Sequence, residues 1–187
     1  MIEPIIVTLL PVTFLVVLFG GGELSRRRRN IDIGGEPPIA AVPFTASKYA
    51  IVALWAVTVL QSWGVGLSVI RVPGPARALA LALWGAGFLM LLAGRLELGS
   101  SFRIGSPRER TAMQTAGLFR ISRNPMYLGV FATLIASVLY TMNPAVLLVG
   151  VAVTAVHHRI VLAEEEHLRG AFGEPYLAYC RRVRRYL

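Results

Sequence analysis

Apolar runs alternate with polar stretches along the whole chain, and five of the runs predict helices that cross a bilayer. The first, Ile2–Gly20, is interrupted only by Pro11, and membrane helices tolerate such a residue. Residues 48–70 and 76–96 predict the second and third spans, with the short turn Arg71-Val72-Pro73-Gly74-Pro75 between them. Each has about the 20 residues needed to cross a hydrocarbon core of roughly 30 Å. The fourth, Pro125–Thr141, is slightly short. Asn143-Pro144 then marks the start of the fifth, with Asn as N-cap and Pro as first helical residue. Almost no loop is left, so spans four and five form a tight antiparallel hairpin. Gly129, Thr133 and Ser137 recur at every fourth residue on span four, and Gly150 and Thr154 on span five are expected to answer them, because small residues let membrane helices approach closely.

Composition agrees. Of the 187 residues 55% are apolar, and the mean hydropathy is +0.61, above the roughly 45–50% apolar of soluble domains. The chain reads as one all-α membrane domain, a three-span part over 1–97 followed by a second part over 98–187. The net charge of +9 does not point to nucleic acid, because the basic residues cluster between the apolar runs. All but Arg71 and Arg77 fall on segments that the five-span reading places on one side. Positively charged loops stay cytoplasmic, so the N-terminus is expected outside and the C-terminus inside, with anionic-lipid contact for the basic clusters. The first span lacks the basic leader and cleavage site of a signal peptide and reads as retained. Gly20-Gly21-Gly22 is expected to be a hinge or helix stop, Arg26 to Arg29 follow it, and 30–47 is expected to be an irregular inner loop. The lone cysteine, Cys180, excludes an internal disulfide.

The large polar segments share a side, so chemistry is expected there, facing a cytosolic co-substrate. Asn124 is a natural cap and Pro125 a natural helix start. The free N–H groups that follow, with Arg120 and Arg123 beside them, form either an anion site or an anchor to lipid headgroups. Over 157–185 the fifth span ends in ionisable residues, which a membrane helix rarely carries without a use. His158 and Glu165 lie two turns apart on one face, which Leu168 and Phe172 continue. A second helix, about 174–186, can fold back over them and bring Arg181 or Arg182 to Glu164. His157, His158 and His167 lack the spacing of a metal site, so no metal is expected. Phe172, Tyr176 and Tyr179 form a stripe that suits either an interfacial anchor or a wall for a purine with a cationic neighbour. These residues alone reach a membrane enzyme or receptor for a small zwitterionic ligand.

The run Gly117-Leu118-Phe119-Arg120-Ile121-Ser122-Arg123-Asn124-Pro125-Met126-Tyr127-Leu128-Gly129 resembles the G-x-[FY]-R-x-x-R-[HN]-P-x-Y-x-G segment of the isoprenylcysteine carboxyl methyltransferase and phospholipid methyltransferase family. Glu164-Glu165 with Leu168, Phe172-Gly173, Tyr176, Tyr179, Val183 and Arg185 is similar to that family's second segment, and Leu98-Gly99 with Phe102-Arg103-Ile104-Gly105 to the stretch before both. The resemblance covers about half the chain, from Leu98 onward. It implies an integral membrane methyltransferase that uses S-adenosylmethionine without a Rossmann domain and takes a lipophilic or small acceptor from the bilayer. It further implies that Arg123, Asn124, Pro125, Tyr127 and Leu128 line one side of the cofactor. Glu165, Leu168, Phe172, Tyr176, Tyr179 and Arg182 would close the other. A carboxylate or thiolate acceptor needs no base; for an amine, His158 or Glu165 is the expected base. Asn124 stands where the carboxyl methyltransferases usually carry His, and Arg184 where Pro is usual. The asparagine form is commoner among the broader bacterial members, so the resemblance implies a bacterial or archaeal inner membrane as the expected location. Two other readings stay open on sequence: a sterol-reductase-like enzyme using NADPH, and a non-catalytic scaffold that binds anionic lipid. Oligomeric state is not legible.

Overall fold

The computed structural model describes the backbone of residues 2–29, 36–102 and 113–187, and their side chains except those of 21–29 and 100. Among the described residues lie six α-helices: α1 Ile2–Arg29, α2 Ala41–Ser62, α3 Gly74–Leu98, α4 Pro125–Thr141, α5 Pro144–Phe172 and α6 Glu174–Arg182. Single 3-10 turns occupy Gly99–Ser101 and Gly117–Arg120. Four helices (α1, α2, α3 and α5) are long and apolar enough to cross a membrane. With 17 residues, α4 extends only about 26 Å at 1.5 Å per residue, roughly a turn short of the hydrocarbon core.

Packing centres on the α3–α4 pair. A Cβ built on Gly87 would lie 2.8 Å from the Gly129 carbonyl oxygen, and one on Gly129 would lie 2.7 Å from the Gly87 oxygen. Only glycine at both positions allows these backbones to touch. Two buried hydrogen bonds tie α4 to α2: Trp55 Nε1 donates to Thr133 Oγ1 at 3.0 Å, and Thr58 Oγ1 to Ser137 Oγ at 2.8 Å. The small-residue face of α4 thus packs on α3 and α2. The expected match with Gly150 and Thr154 is not made. Gly150 faces Val138, and Thr154 bonds back to the Gly150 carbonyl. Spacing showed which residues shared a face, but not which neighbour that face would meet.

Against this pair lies an aromatic cluster, with Trp55 and Phe88 ring centres 4.8 Å apart, Trp84 and Phe88 4.9 Å, and Phe14 and Trp55 5.9 Å. Trp84 also shows how α1 carries a proline. Pro11 has no N–H to offer the carbonyl of Val7, and the Trp84 indole donates to that oxygen at 3.1 Å. At the same end of the bundle Arg77 Nη2 pairs with Glu3 at 2.8 Å, and the Tyr140 hydroxyl donates to the same carboxylate.

Helix ends depart from the sequence reading in four places. Gly20-Gly21-Gly22 does not stop α1, which runs on through Arg26 to Arg29. A glycine inside a helix costs only about 1 kcal/mol, and its 28 residues extend roughly 42 Å, enough to cross the core and project beyond it. The second helix covers Ala41–Ser62 rather than 48–70, so 41–47 is helical, not loop. Lys48 lies within it, its ammonium 3.5 Å above the Phe44 ring. Gly64, at φ +92°, supplies the left-handed residue of a Schellman stop, its N–H bonded to Gln61 O and that of Val65 to Leu60 O. The tail helix ends at Arg182 instead of Tyr186, and 183–187 returns extended toward the start of α4. Arg103, Arg108, Arg110, Ile104 and Gly105 lie outside the described residues. The two proline-marked starts, Pro125 and Pro144, are as expected; Asn143 Oδ1 accepts from Ala145 N at 2.9 Å.

Candidate active site

Where α4 begins, three elements meet. Asn124 occupies the cap position, but its side chain makes no capping bond. Its amide instead donates to Glu165 Oε1 at 3.0 Å and to the Arg185 carbonyl at 3.2 Å. Glu165, 5% exposed, also takes Arg123 Nη2 at 3.1 Å on Oε1, and Arg185 Nε and Nη2, both at 3.0 Å, on Oε2. A buried carboxylate between two guanidinium groups and an amide is fully paired, which taking it out of water requires. That bonding holds Arg185 firmly cationic, its proton affinity raised above the ordinary arginine value by the Glu165 contact.

The tail completes the join. Arg123 N donates to Arg184 O at 3.0 Å, and Ser122 Oγ to Arg185 O at 3.1 Å. Ser122 and Arg184 form an isolated parallel bridge. Beside it α6 packs inward through Tyr176 and Tyr179. The Tyr179 hydroxyl donates to Phe119 O at 2.6 Å, and burial pushes its ionisation up to about 12. Burial, with the Glu165 charge, also raises Tyr176, so both phenols stay neutral donors.

Above this join opens a cavity of about 420 Å³, within the size range of small-molecule sites. Arg123, Asn124, Pro125, Tyr127, Leu168, Tyr176 and Tyr179, all expected at the cofactor, line it. Leu128, Phe172 and Arg182 are not among the lining residues, and Arg182 is exposed. Neither base expected from sequence reaches the wall: Glu165 is enclosed by its partners, and exposed His158 bonds the Tyr186 hydroxyl at 2.8 Å. Their immediate neighbours do reach it. Glu164 and His157 line the cavity, with Lys48 of α2 facing them. Glu164 does not pair with Arg181 or Arg182; it shares the cavity wall with Tyr127 and Lys48, while Arg181 pairs with Glu174 at 2.7 Å. Successive helical residues point about 100° apart, so a one-residue shift moves the whole face. The run His157, Ile160, Glu164, Leu168 was available in the sequence as an equally good stripe.

Apolar side chains of α1 and α2, among them Phe14, Leu18, Ile51 and Trp55, form the far wall, and Phe19 and Val52 carry it to the outer surface. Two donors at the α4–α6 end stand out. Arg123 Nε and the Tyr176 hydroxyl are both buried without a hydrogen-bond partner among the described residues. Buried donors are normally bonded, so these two suit a ligand that brings acceptors.

Taken together these features define a helical membrane protein with a cavity between an apolar wall that reaches the outer surface and a polar, aromatic cap. Residues 75–175 match the phospholipid methyltransferase family, and the chain belongs to it. It is therefore a membrane methyltransferase that uses S-adenosylmethionine. No curated protein matches the chain. The matched residues run from α3 into α6 and leave out α1 and α2, and hence the far wall of the cavity. The residues present fit the cofactor: Arg123 and Tyr176 would offer donors to its carboxylate, ribose or adenine nitrogens, and Glu164 on the cavity wall would offer a carboxylate to its ammonium.

Proposed function

We propose that this enzyme methylates a lipophilic acceptor that enters from the bilayer, in the manner of the isoprenylcysteine carboxyl methyltransferases. In this reading five helices span the membrane with the N-terminus outside, and the cavity end faces the cytoplasm. The observation that carries it is the two-sided cavity: buried donors without partners among the described residues at one end, and a continuous apolar wall reaching exposed Phe19 and Val52 at the other. The distribution of basic residues supports the orientation.

S-adenosylmethionine, when bound, supplies a methyl group on a positively charged sulfur. The chain's residues do the rest. Arg123 and the start of α4 hold an anionic group, and Tyr176 and Tyr179 offer aromatic faces to a cation. Glu165 fixes Arg123 and the tail through its ion pairs, so that the cap keeps its shape. The apolar wall excludes water and aligns the acceptor, and alignment accounts for much of the rate of a displacement. Residues 174–187 close the cavity on the water side.

Isothermal titration of the full chain in detergent tests the cofactor half. Saturable S-adenosylmethionine binding is expected, weakened about tenfold or more in Arg123→Met, the loss of one charge-assisted contact. Equal affinity in both proteins would remove Arg123 from the site. Labelled methyl transfer into membrane extracts tests the acceptor half: label in the lipid phase is expected, and label confined to water-soluble product would refute a lipophilic acceptor.

A further inference from the structure

We propose that Lys48 selects the methyl acceptor by holding an anionic group in its head, so that the ligand it admits is an amphiphile with a negatively charged head on an apolar chain. This rests on the methyltransferase reading above. It goes beyond that reading in naming the residue that recognises the acceptor and the charge it recognises.

The cavity face of α2 is a stripe at helical spacing, Phe44, Lys48, Ile51 and Trp55, on which Lys48 alone is charged. This helix precedes the residues that match the family, so the shared family segments do not account for a cation here. A lysine near the end of a span usually carries its ammonium outward to water or headgroups. Lys48 is instead half-buried on the cavity wall, its ammonium 3.5 Å from the centre of the buried Phe44 ring. That contact fixes where the charge sits. An ammonium has three donors, and Lys48 makes neither an ion pair nor a hydrogen bond among the described residues. A charge kept in a membrane helix without a partner marks a use.

The balance of charge in the cavity says what that use is. The charged side chains on its wall are Lys48, Arg123 and Glu164. Arg123 is already balanced by Glu165 at 3.1 Å. The cofactor carries a carboxylate, an ammonium and a sulfonium, and so brings a net positive charge. Glu164 offsets that charge or Lys48, but not both. The other is left without a counter-ion in a space walled largely by apolar side chains, which is costly. An anionic group on the acceptor supplies the counter-ion, whereas a cationic head would add a further like charge. Position agrees with charge. Past Lys48 the same face is apolar, and Ile51, Trp55 and Val52 lead from it to the outer surface at Val52, so a chain attached to the anion lies along them.

The test is isothermal titration of the full chain in a nonionic detergent, with blanks into empty micelles. Sinefungin, which carries an amine in place of the sulfonium and transfers no methyl group, is kept saturating so that Arg123 and Glu164 are occupied. The probes are octyl phosphate, octanol, octyltrimethylammonium and inorganic phosphate. Octyl phosphate should bind about tenfold tighter than octanol or inorganic phosphate, the order of one charge-assisted contact, with octyltrimethylammonium weakest. Lys48→Met should remove the advantage over octanol, and Lys48→Arg should keep it, both with a Kd for sinefungin within threefold of the parent. Lys48→Glu should invert the preference toward octyltrimethylammonium, a change of sign that a packing role would not produce. Equal binding of octyl phosphate and octanol by the parent, or a preference that survives in Lys48→Met, would overturn the proposal. Inorganic phosphate binding as tightly as octyl phosphate would overturn the amphiphile. Failure of the parent to bind S-adenosylmethionine or sinefungin would instead overturn the cofactor reading, and this proposal with it.

Discussion

Two faces of α4 lie in opposite surroundings. Toward α3 and α2 it presents Gly129, Thr133 and Ser137, with backbone against backbone and each hydroxyl bonded. Toward α5 and α6 it presents Tyr127 and Val130 to an open cavity, and the residues just before it carry a buried guanidinium N–H without a partner among the described residues. The first face is held by sterics, which fall off within a fraction of an ångström. The second is held by charge and hydrogen bonds across a space that a ligand can enter. A site needs both: the packed face fixes where α4 begins, so that Asn124, Arg123 and Tyr127 stay in place without filling the room between them.

The contrast is broken most severely at the packed face. Gly129→Leu forces the α3 and α4 backbones apart, so its cost should exceed the roughly 1–3 kcal/mol of ordinary overpacking. Loss of monodisperse folded protein on size exclusion is expected. Gly85→Leu, on α3 beside Gly87 with none of the described residues within 4 Å of its Cβ, should behave like the parent, and equal damage from both would show that the close approach is not what matters.

The next effect is at the site face. Glu165→Ala leaves Arg123 buried and unpaired, and should cost about 3 kcal/mol, the low end for a broken buried pair, because Arg185 can turn to solvent with its side chain 37% exposed. Thermal unfolding in detergent measures it. Releasing the tail should also make the backbone near Arg185 susceptible to a trypsin-like protease. Unchanged melting would mean that the carboxylate does not hold the tail.

The smallest effect is at the α6 cap. Tyr179→Phe removes the bond to Phe119 O and should cost about 1 kcal/mol at neutral pH. In the folded protein the phenol keeps its proton up to about pH 12, whereas an unfolded tyrosine loses it near 10. Between those values the native state binds more protons, so its stability falls as pH rises above 10. Tyr179→Phe lacks that slope, and the rise to about 12 outweighs about 1 kcal/mol, so the parent's advantage should shrink above pH 10 and reverse before pH 12. A constant difference would mean that Tyr179 ionises no differently once folded.

Local signals were legible wherever a residue acts on its own backbone. Pro125 and Pro144 set helix starts because a ring at the first position lacks only a donor that would be unpaired anyway. The site segments were legible as well, since the residues around Arg123 and Glu165 do come together. Gly64 was just as local a signal, and its role as helix stop was open to the same reasoning. The partner of the small-residue stripe on α4 was not legible, nor was the glutamate that fronts the cavity.

The sequence by itself determined a bundle of apolar helices, the proline-marked hairpin, and the two polar segments that meet at the cavity. These follow from transfer energies, backbone geometry and residue type, all properties of short stretches. Only the tertiary structure decided that α4 packs on α3, that 183–187 folds back onto Ser122 and Asn124, and that Glu164 rather than Glu165 faces the cavity. Each of those depends on how far one helix is rotated against its neighbours. That rotation is set by summed contacts among residues far apart in the chain, and no local stretch contains it.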